Sequence, residues 1–480
     1  MSKRAKDKKD ALKIIDRVLI FIQTLLTIGF IVILGKFNVL PIKLFALISG
    51  ILLVLCVMDF LLSSWRGGQV LSCMIAIIMS AILAVGGFYL MKTNNMLDDI
   101  TGVDTEKYNV NVYVKADDSV QSINDAADYK FGILADMDRE NTDATIAKTN
   151  KALGKEIVTK EYAGTTELFD ALLKGDSGAI ILNEGYISIV EDIEGYENIG
   201  SQIRAIYINE IEKKVEDNKD TVKNVTKDAF IIYLSGIDTT GPVSTRSRSD
   251  VNILMVVNPT TKKILLVSTP RDYYVPLSIS KGVKDKLTHA GNYGINVSMD
   301  TLEMLYGEKV NYYVRMNFTG FTKIIDALGG LDITCDQSFT SYRGMSFTKG
   351  THHMDGAHAL EFARERYAFS EGDRQRGKNQ MQVIEKVVDK LTSKAILNNY
   401  TGLMKSIGNS MQTNISSDEI SSLVKMQIND MSKWEITKFS VNGTGKSSYT
   451  YSIPHQKAYV MVPDQSTVNE AKQKIEEIMK

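Results

Sequence analysis

Residues 229–272, AFIIYLSGIDTTGPVSTRSRSDVNILMVVNPTTKKILLVSTPRD, decide the fold of the second half of the chain. This stretch holds three runs of β-branched and apolar residues, over 229–235, 251–257 and 263–268. Runs of this kind predict central strands that are covered on both faces. The segment Asn258-Pro-Thr-Thr261 is a turn signal, so we expect the second and third strands to form a hairpin.

The polar residues that flank these runs converge on one edge of the predicted sheet. Asp238 follows the first strand, Asp250 precedes the second, and Arg271 follows the third. If the hairpin forms and the first strand runs parallel to the third, all three side chains lie at the same end. Two carboxylates at one sheet edge suit a hard divalent cation such as Mg²⁺. Ordinary turn chemistry is the alternative for each aspartate.

A second polar group lies further along the chain and is rich in arginine. Arg364 and Arg366 stand close together, and a helical pattern follows over 376–391. Arg376 and Gln380 are four residues apart, so they share one face of that helix. A helix N-terminus attracts anions, and arginine offers phosphate oxygens a forked pair of donors. The group therefore suits a phosphate ligand, with a solvated charged surface as the alternative.

The helices around the three strands predict the fold class of this region. Helical patterns occur over 299–306, 320–328, 356–364 and 376–391. Helices that cover a mixed sheet form a layered α/β/α domain, which we assign to residues 227–480.

Residues 98–225 have the pattern of a smaller α/β domain. Strand-like runs at 131–135 and 178–182 alternate with helical patterns at 140–153, 166–174 and 203–215. Such alternation favours a parallel sheet. Because no clustered acid–base set stands out, we interpret this segment as an accessory domain that acts as a spacer or docking unit. A small-ligand pocket at its strand ends is the alternative.

The long apolar sequence lies almost entirely in the first 91 residues, in runs over 14–34, 42–62 and 70–91. Each run has about 20 residues, which is the length that a helix needs to cross a bilayer. The segment 1–13 carries five lysines and one arginine, so we expect it to be a cytoplasmic tail. Three transmembrane helices would then place the rest of the chain outside, which predicts a multi-pass cell-membrane protein with an extracellular bulk.

The overall composition excludes several classes of protein. Apolar residues make up 44% and charged residues 24%, which excludes a disordered or collagen-like chain. Lys and Arg number 56 against 57 Asp and Glu, so no nucleic acid partner is expected. The three cysteines predict neither a disulfide framework nor a zinc site, because two lie in apolar runs and Cys335 stands alone.

Short motifs between residues 230 and 391 resemble, in order and spacing, those of the LytR-CpsA-Psr family of Gram-positive bacteria. The matching segments are Ser235-Gly-Ile-Asp238, Arg248-Ser-Asp250, Ser268-Thr-Pro-Arg-Asp272, Lys286-Leu-Thr-His-Ala290, Asp326-Ala-Leu-Gly-Gly-Leu-Asp332, Arg364-Glu-Arg366, Gly372-Asp373 and Asn379-Gln380. The resemblance implies an enzyme that transfers a glycopolymer from an undecaprenyl-pyrophosphate carrier to peptidoglycan through a phosphodiester bond. Three spans and an extra domain look like the streptococcal capsule branch, which implies capsular polysaccharide as the polymer.

The resemblance also implies roles for particular residues. Asp238 and Asp250 match the family's Mg²⁺ ligands, with Mn²⁺ as an alternative ion, and they form the catalytic set together with Arg271. The pyrophosphate-binding set is Arg271, Lys286, Arg364, Arg366, Arg376 and Gln380. Two departures affect the charge around the phosphates: many relatives carry an arginine where this chain has Asn379, and Arg374 has no counterpart in the general pattern.

The implied partners are a polyprenyl-pyrophosphate-linked polysaccharide, a peptidoglycan acceptor, the lipid bilayer and other membrane proteins of capsule synthesis. Two other functions stay open on the sequence. One is a polyprenyl-pyrophosphate hydrolase that uses the same residues with water as the acceptor. The other is a non-enzymatic membrane regulator of capsule synthesis, although a tail of about 13 residues is too short for a folded DNA-reading domain.

Overall fold

The structure is a computed structural model that describes residues 3–65, 67–101, 105–215, 222–237, 243–393 and 411–480. The chain divides into two compact units. The first consists of Met1–Thr101, Thr392–Gly408 and Ile415–Ser432, and the second consists of Gly102–Leu391, Asn409–Asn414 and Lys433–Lys480. The second unit contains most of both predicted α/β domains, although Ile415–Ser432 of the predicted 227–480 domain belongs to the first unit. The limits 98–225 and 227–480 stay predictions.

The first unit is built on three long helices, α1 (Lys3–Phe37), α2 (Ile42–Ser64) and α3 (Gln69–Thr101). The segments long and apolar enough to cross a membrane are Leu12–Phe37, Ile42–Ser64 and Gln69–Thr93. Large apolar side chains along all three helices are exposed, as lipid-facing side chains are. Three apolar helices of spanning length are thus confirmed, and their orientation in the membrane stays a prediction.

The second unit begins with the smaller sheet. Its elements are β1 (Thr105–Lys115), β2 (Lys130–Leu134), α4 (Arg139–Leu153), β3 (Val158–Tyr162), α5 (Thr165–Lys174), β4 (Ala179–Asn183), α6 (Gly185–Val190), α7 (Ile199–Gln202), β5 (Ile203–Tyr207) and β6 (Glu210–Lys214). The strand order is β3-β2-β4-β1-β5, and β6 also pairs with β1. The sheet is parallel only across β3, β2 and β4, because β1 runs antiparallel to all three of its neighbours.

The predicted helix over 203–215 is wrong, because this segment forms β5 and β6. Both strands pair with β1, which supplies their backbone with partners along its length. Residues of β6 alternate between exposed and half-buried, which is the period of a strand. Pairing with a distant strand therefore outweighs the helical spacing of the local sequence.

The larger sheet follows. The strands from here on are β7 (Phe230–Ile237), β8 (Ser249–Asn258), β9 (Lys263–Ser268), β10 (Tyr274–Pro276), β11 (Lys284–Lys286), β12 (Tyr312–Asn317), β13 (Leu331–Cys335), β14 (Phe339–Thr340), β15 (Ser346–Phe347), β16 (Gly350–Met354), β17 (Met411–Thr413), β18 (Glu435–Ser440), β19 (Gly443–Ser448) and β20 (Ala458–Pro463). The helices are α8 (Ala290–Tyr293), α9 (Ile295–Tyr306), α10 (Phe318–Ala327), α11 (Gly356–Arg364), α12 (Asp373–Leu391), α13 (Ser417–Asp430) and α14 (Gln465–Met479).

The central sheet is mixed and has the order β17-β12-β7-β8-β9-β18. The predicted hairpin of β8 and β9 is confirmed, and β7 pairs antiparallel with β8. Strands β12 and β18 extend the sheet by parallel pairing with β7 and β9. Helices α9 and α14 pack on one face over a core that includes Tyr233, Leu254 and Val267, while α12 packs against β8, β9 and β18. The layered α/β/α architecture predicted for this region is confirmed.

A buried ion cluster joins β1 to the larger sheet. Glu106 on β1 accepts hydrogen bonds from Arg246 Nε at 2.7 Å and from Arg315 Nη1 at 2.9 Å. Its Oε1 atom also accepts from the backbone nitrogen of Ile295 at 3.0 Å. The exposed fraction is 2% for Glu106 and 1% for Arg315. The backbone of Lys107 pairs with the segment around Arg246, so the smaller sheet is docked on the chain just before Asp250.

Candidate active site

The ends of β7, β8 and β9 meet at one edge of the central sheet. Ile237 at the end of β7 pairs with Ser249 at the start of β8, and β9 ends at the same edge. Here Arg271 Nη1 donates to Asp250 Oδ1 at 3.0 Å. The predicted meeting of Asp250 and Arg271 is confirmed, whereas Asp238 lies outside the described residues.

Asp250 and Arg271 are held in their charged forms. Burial alone would raise the pKa of Asp250, but the positive charges of Arg271 and Arg376 lower it below its ordinary value. Burial alone would lower the pKa of Arg271, but the carboxylates of Asp250 and Asp272 raise it. The Arg271 side chain is 11% exposed, and its Nε atom is buried without a hydrogen-bond partner among the described residues. The Arg271 guanidinium is therefore a fixed positive charge at this edge, and its Nε–H group makes no hydrogen bond within the described part of the chain.

Helix α12 brings Arg376 and Gln380 to the same edge. Arg376 lies in the first turn of the helix, is 7% exposed and forms an ion pair with Asp373. Gly377 permits the close approach to β9, because a Cβ atom there would lie 2.6 Å from Ser268 Oγ. A larger residue would push the helix and its arginine away from Arg271.

Arg364 and Arg366 reach this region from the end of α11. The guanidinium of Arg364 lies over the ring of Phe318, with 3.9 Å between its central carbon and the ring centroid. Arg366 lies over the ring of Tyr367 and donates to its hydroxyl at 2.6 Å. Stacking on aromatic faces orients both guanidinium groups.

These side chains share one cavity of about 440 Å³. Its polar lining includes Arg248, Asp250, Arg271, Arg364, Arg366, Arg376 and Gln380. Its apolar lining includes Leu234, Val314, Met316, Phe318, Phe321, Leu360, Ala363 and Ile384. The cavity therefore suits an amphipathic ligand with an anionic group next to an apolar portion.

Lys286 is placed differently from the other predicted phosphate-binding residues. It is 2% exposed and is not among the residues that line the cavity. Its Nζ atom lies 2.9 Å from Asp192 Oδ2 and 3.6 Å from Asp272 Oδ1. The nearby His289 is fully buried and its Nδ1 atom lies 2.7 Å from Asp285 Oδ1, which fits a structural histidine.

Three charged lining residues were missed by the sequence reasoning, namely Glu191, Asp192 and Arg248. Arg248 belongs to a matching motif, but nothing local distinguishes it from other charges of a polar loop. Asp192 follows α6 of the smaller sheet and accepts from Arg248 Nη1 at 3.0 Å. No sequence signal reveals this contact, because the two residues are brought together only by the docking of the smaller sheet.

The structure also locates the two departures from the family pattern. The Asn379 side chain is buried and donates to the carbonyl oxygen of Phe362 at 3.1 Å, so it faces α11. Arg374 forms an ion pair with Glu371 and does not line this cavity, but it borders a small pocket together with Asp250, Arg271 and Arg376. Neither residue adds charge to the cavity lining.

The donor chemistry allows a divalent cation with few protein ligands. Across the described part of the chain, no three His, Cys, Asp or Glu side chains cluster closely enough to hold a metal ion. Asp250 Oδ1 accepts from Arg271, while Oδ2 has no hydrogen-bond partner among those residues. A free carboxylate oxygen in an anion-binding cavity fits Mg²⁺, which is commonly held by one or two carboxylates, waters and substrate phosphates.

Several known proteins are similar to this chain in sequence. TagU of Enterococcus faecalis, named polyisoprenyl-teichoic acid–peptidoglycan teichoic acid transferase, is 36% identical over 210 residues, which are 43% of this chain and 68% of that protein. The TagU of Bacillus cereus is 33% identical over 224 residues, covering 45% and 72%. The crystal structure of B. subtilis TagV is 26% identical, with a TM-score of 0.45, covering 53% of this chain and 98% of that one.

Two family models match the chain. One, described as DNA polymerase processivity factor, matches residues 68–182, which run from α3 into the smaller sheet. The other, described as the LytR_cpsA_psr family, matches residues 201–475, a range that contains all the predicted site residues. This second match covers more than half of the chain, and together with the TagU relatives it shows that the protein belongs to the LytR-CpsA-Psr family.

Proposed function

We propose that this protein is a membrane-anchored transferase that moves a glycopolymer from a polyprenyl-pyrophosphate carrier to peptidoglycan. One observation carries the proposal: a single cavity combines an apolar lining with Arg271, Arg376 and the carboxylate of Asp250. A prenyl pyrophosphate has this combination of an apolar tail and a highly charged head. The names of the TagU relatives support the glycopolymer and the acceptor.

The arginines would bind and orient the pyrophosphate. Arg271, Arg364 and Arg366 line the cavity with guanidinium groups, and the first turn of α12 adds its own attraction for anions. Phosphoryl transfer depends mainly on the position of the reacting groups and on neutralising phosphate charge. A fixed cluster of buried guanidinium groups provides both.

A divalent ion, Mg²⁺ or Mn²⁺, is part of the proposal. Asp250 would hold it through the oxygen that Arg271 leaves free, and Asp238 is the predicted second ligand. When bound, such an ion neutralises charge on the phosphate oxygens.

The proposed reaction replaces one phosphorus–oxygen bond with another. A hydroxyl of peptidoglycan attacks the phosphorus next to the glycan, and the bond from that phosphorus to the polyprenyl phosphate breaks. The products are a glycan joined to peptidoglycan by a phosphodiester bond and free polyprenyl phosphate, and the hydroxyl proton leaves to solvent. The existing pyrophosphate bond drives the step, so no ATP is required outside the cell.

This reaction requires the cavity to face the outside of the cell. The basic segment 1–13 and three apolar helices favour that orientation. Lys425 on α13 donates to Asn38, in the loop between α1 and α2, at 2.9 Å. Three spans put this loop on the same side of the membrane as the chain after α3, so the contact supports the number of spans, while the orientation rests on the basic segment alone.

Capsular polysaccharide is our proposal for the polymer. It rests on the arrangement of three spans and an accessory domain before the catalytic one, and it implies contact with other membrane proteins of capsule synthesis. A strain that lacks the protein should release capsular polysaccharide from the wall while wall teichoic acid stays attached. Loss of teichoic acid with retained capsule would contradict the choice of polymer.

The activity is tested with the purified full chain in detergent micelles, a polyprenyl-pyrophosphate-linked oligosaccharide and soluble peptidoglycan fragments. Mass spectrometry should detect the oligosaccharide joined to peptidoglycan by a phosphodiester. Arg376→Gln should remove the product, whereas Lys386→Gln on the same helix should not, since Lys386 lies outside the cavity and pairs with Asp389. Release of free glycan phosphate with peptidoglycan present would indicate a hydrolase. The absence of both products would indicate a non-enzymatic protein.

A further inference from the structure

The smaller sheet contributes a carboxylate to the wall of the cavity. Asp192 follows α6, and its side chain is 17% exposed. Its Oδ1 atom accepts from Arg248 Nη1 at 3.0 Å and its Oδ2 atom from Lys286 Nζ at 2.9 Å. Arg248 is held further by the carbonyl oxygen of Ser188 at 2.9 Å, in the same smaller sheet region. One carboxylate therefore bridges two cations of the larger sheet domain.

Asp192 is the partner through which Lys286 borders the cavity lining. Asp192 lines the cavity, whereas Lys286 does not, and the charged partners of Lys286 Nζ are Asp192 and Asp272. A phosphate oxygen that bound Lys286 from the cavity would have to compete with the carboxylate for the same ammonium group. The same competition applies at Arg248, which lines the cavity next to Asp192.

The Asp192 carboxyl group is held in its charged form. Burial alone would raise the pKa of this carboxyl, but the positive charges of Lys286 and Arg248 hold it well below its ordinary value. Asp192 also lies before residue 201, so it falls outside the range that the LytR_cpsA_psr model matches. This negative charge comes from the chain's own accessory region.

We propose that Asp192 is a built-in counter-anion that competes with the substrate's phosphates for Arg248 and Lys286 and so lowers the affinity of the cavity for anions. Without substrate it stabilises the buried cations, which would otherwise repel one another. The proposal rests on the pyrophosphate-binding function proposed above. It gives the accessory region a direct part in setting substrate affinity.

The substitution Asp192→Asn separates this role from a purely structural one. Asparagine keeps the shape and one acceptor oxygen but removes the charge. Loss of a unit negative charge beside a bound pyrophosphate should tighten binding by about tenfold or more at an effective dielectric constant near 20. The unliganded variant should melt at a lower temperature, because two buried cations lose their counter-charge. A residue that only supports the fold would lower the melting temperature without tightening anion binding.

The test uses inorganic pyrophosphate as the probe and the full chain in detergent micelles, with calorimetric titration for affinity and thermal unfolding for stability. Asp143→Asn is the matched control, because Asp143 is 54% exposed and pairs with Arg139 away from the cavity. We expect tighter binding and a lower unliganded melting temperature for Asp192→Asn only. Equal or weaker binding in Asp192→Asn would overturn the proposal. Failure of the unmodified protein to bind pyrophosphate would instead contradict the proposed function.

If Asp192→Asn alone does not fold, Lys286→Met and Asp192→Asn/Lys286→Met make the same comparison. The double variant removes a cation together with the anion, so it avoids an uncompensated buried lysine. Tighter binding in the double variant than in Lys286→Met alone supports the proposal, because Arg248 then gains a free donor. Equal or weaker binding overturns it.

Discussion

Replacing Arg271 by lysine tests whether the shape of this cation matters as well as its charge. The guanidinium donates to Asp250 at 3.0 Å through Nη1, its Nε atom lies 3.7 Å from Asp272, and that Nε has no hydrogen-bond partner among the described residues. Lysine has a single nitrogen and cannot hold Asp250 and a phosphate oxygen in the same forked geometry. The expected loss is one charge-assisted hydrogen bond, about 1.5–3 kcal/mol.

That loss corresponds to roughly a 13- to 160-fold decrease in kcat/KM, since each 1.36 kcal/mol is a factor of ten. The assay is the steady-state rate of glycan transfer to peptidoglycan fragments. Arg139→Lys is the control, because Arg139 is a surface arginine of α4 outside the cavity lining and should keep its full rate. Unchanged kcat/KM in Arg271→Lys would refute the reasoning and leave only the electrostatic field of the charge as its contribution.

Three further predictions concern the metal, the buried ion cluster and the topology. Asp250→Asn should abolish transfer in a protein that still folds, because a neutral amide is a poor Mg²⁺ ligand; full Mg²⁺-dependent turnover would remove Asp250 from the metal role. Glu106→Gln should lower the free energy of unfolding by about 3–5 kcal/mol in denaturant titrations, since Arg315 loses its carboxylate partner. The double variant Glu106→Gln/Arg315→Met should recover most of that loss, and equal stability of all three proteins would show that Glu106 and Arg315 do not stabilise each other. Ser447→Cys, in a Cys335→Ser background, should react with a membrane-impermeant thiol reagent on intact, wall-stripped cells, and labelling only after lysis would reverse the proposed orientation.

The sequence predicts best the elements that depend on local pattern. The three strands at the centre of the larger sheet are long, apolar and β-branched, so they could be located within a few residues and their ends could be brought to one edge. Helix α11 has the predicted limits, because Asp355 caps its first turn by accepting from the backbone nitrogen of His358. The apolar spans are equally local, since length and hydropathy alone define them.

Features that depend on pairing between distant segments could not be predicted. The strands β5 and β6 are fixed by β1, about a hundred residues earlier in the chain, and their own spacing favours a helix. Lys286 pairs with Asp192 and stays out of the cavity lining because the smaller sheet docks on the larger one. Asn379 occupies a position on a cavity-lining helix, yet its side chain turns to Phe362, which only the packing of α11 on α12 determines.

The buried cluster around Glu106 limits how this gene product can be shortened. A deletion that removes the smaller sheet also removes the carboxylate that neutralises Arg315, a side chain with 1% exposure on a strand of the larger sheet. The remaining domain would then carry an uncompensated charge in its interior. The larger sheet therefore depends on the smaller one for a charge in its own interior, and a functional truncation would require a second change at residue 315.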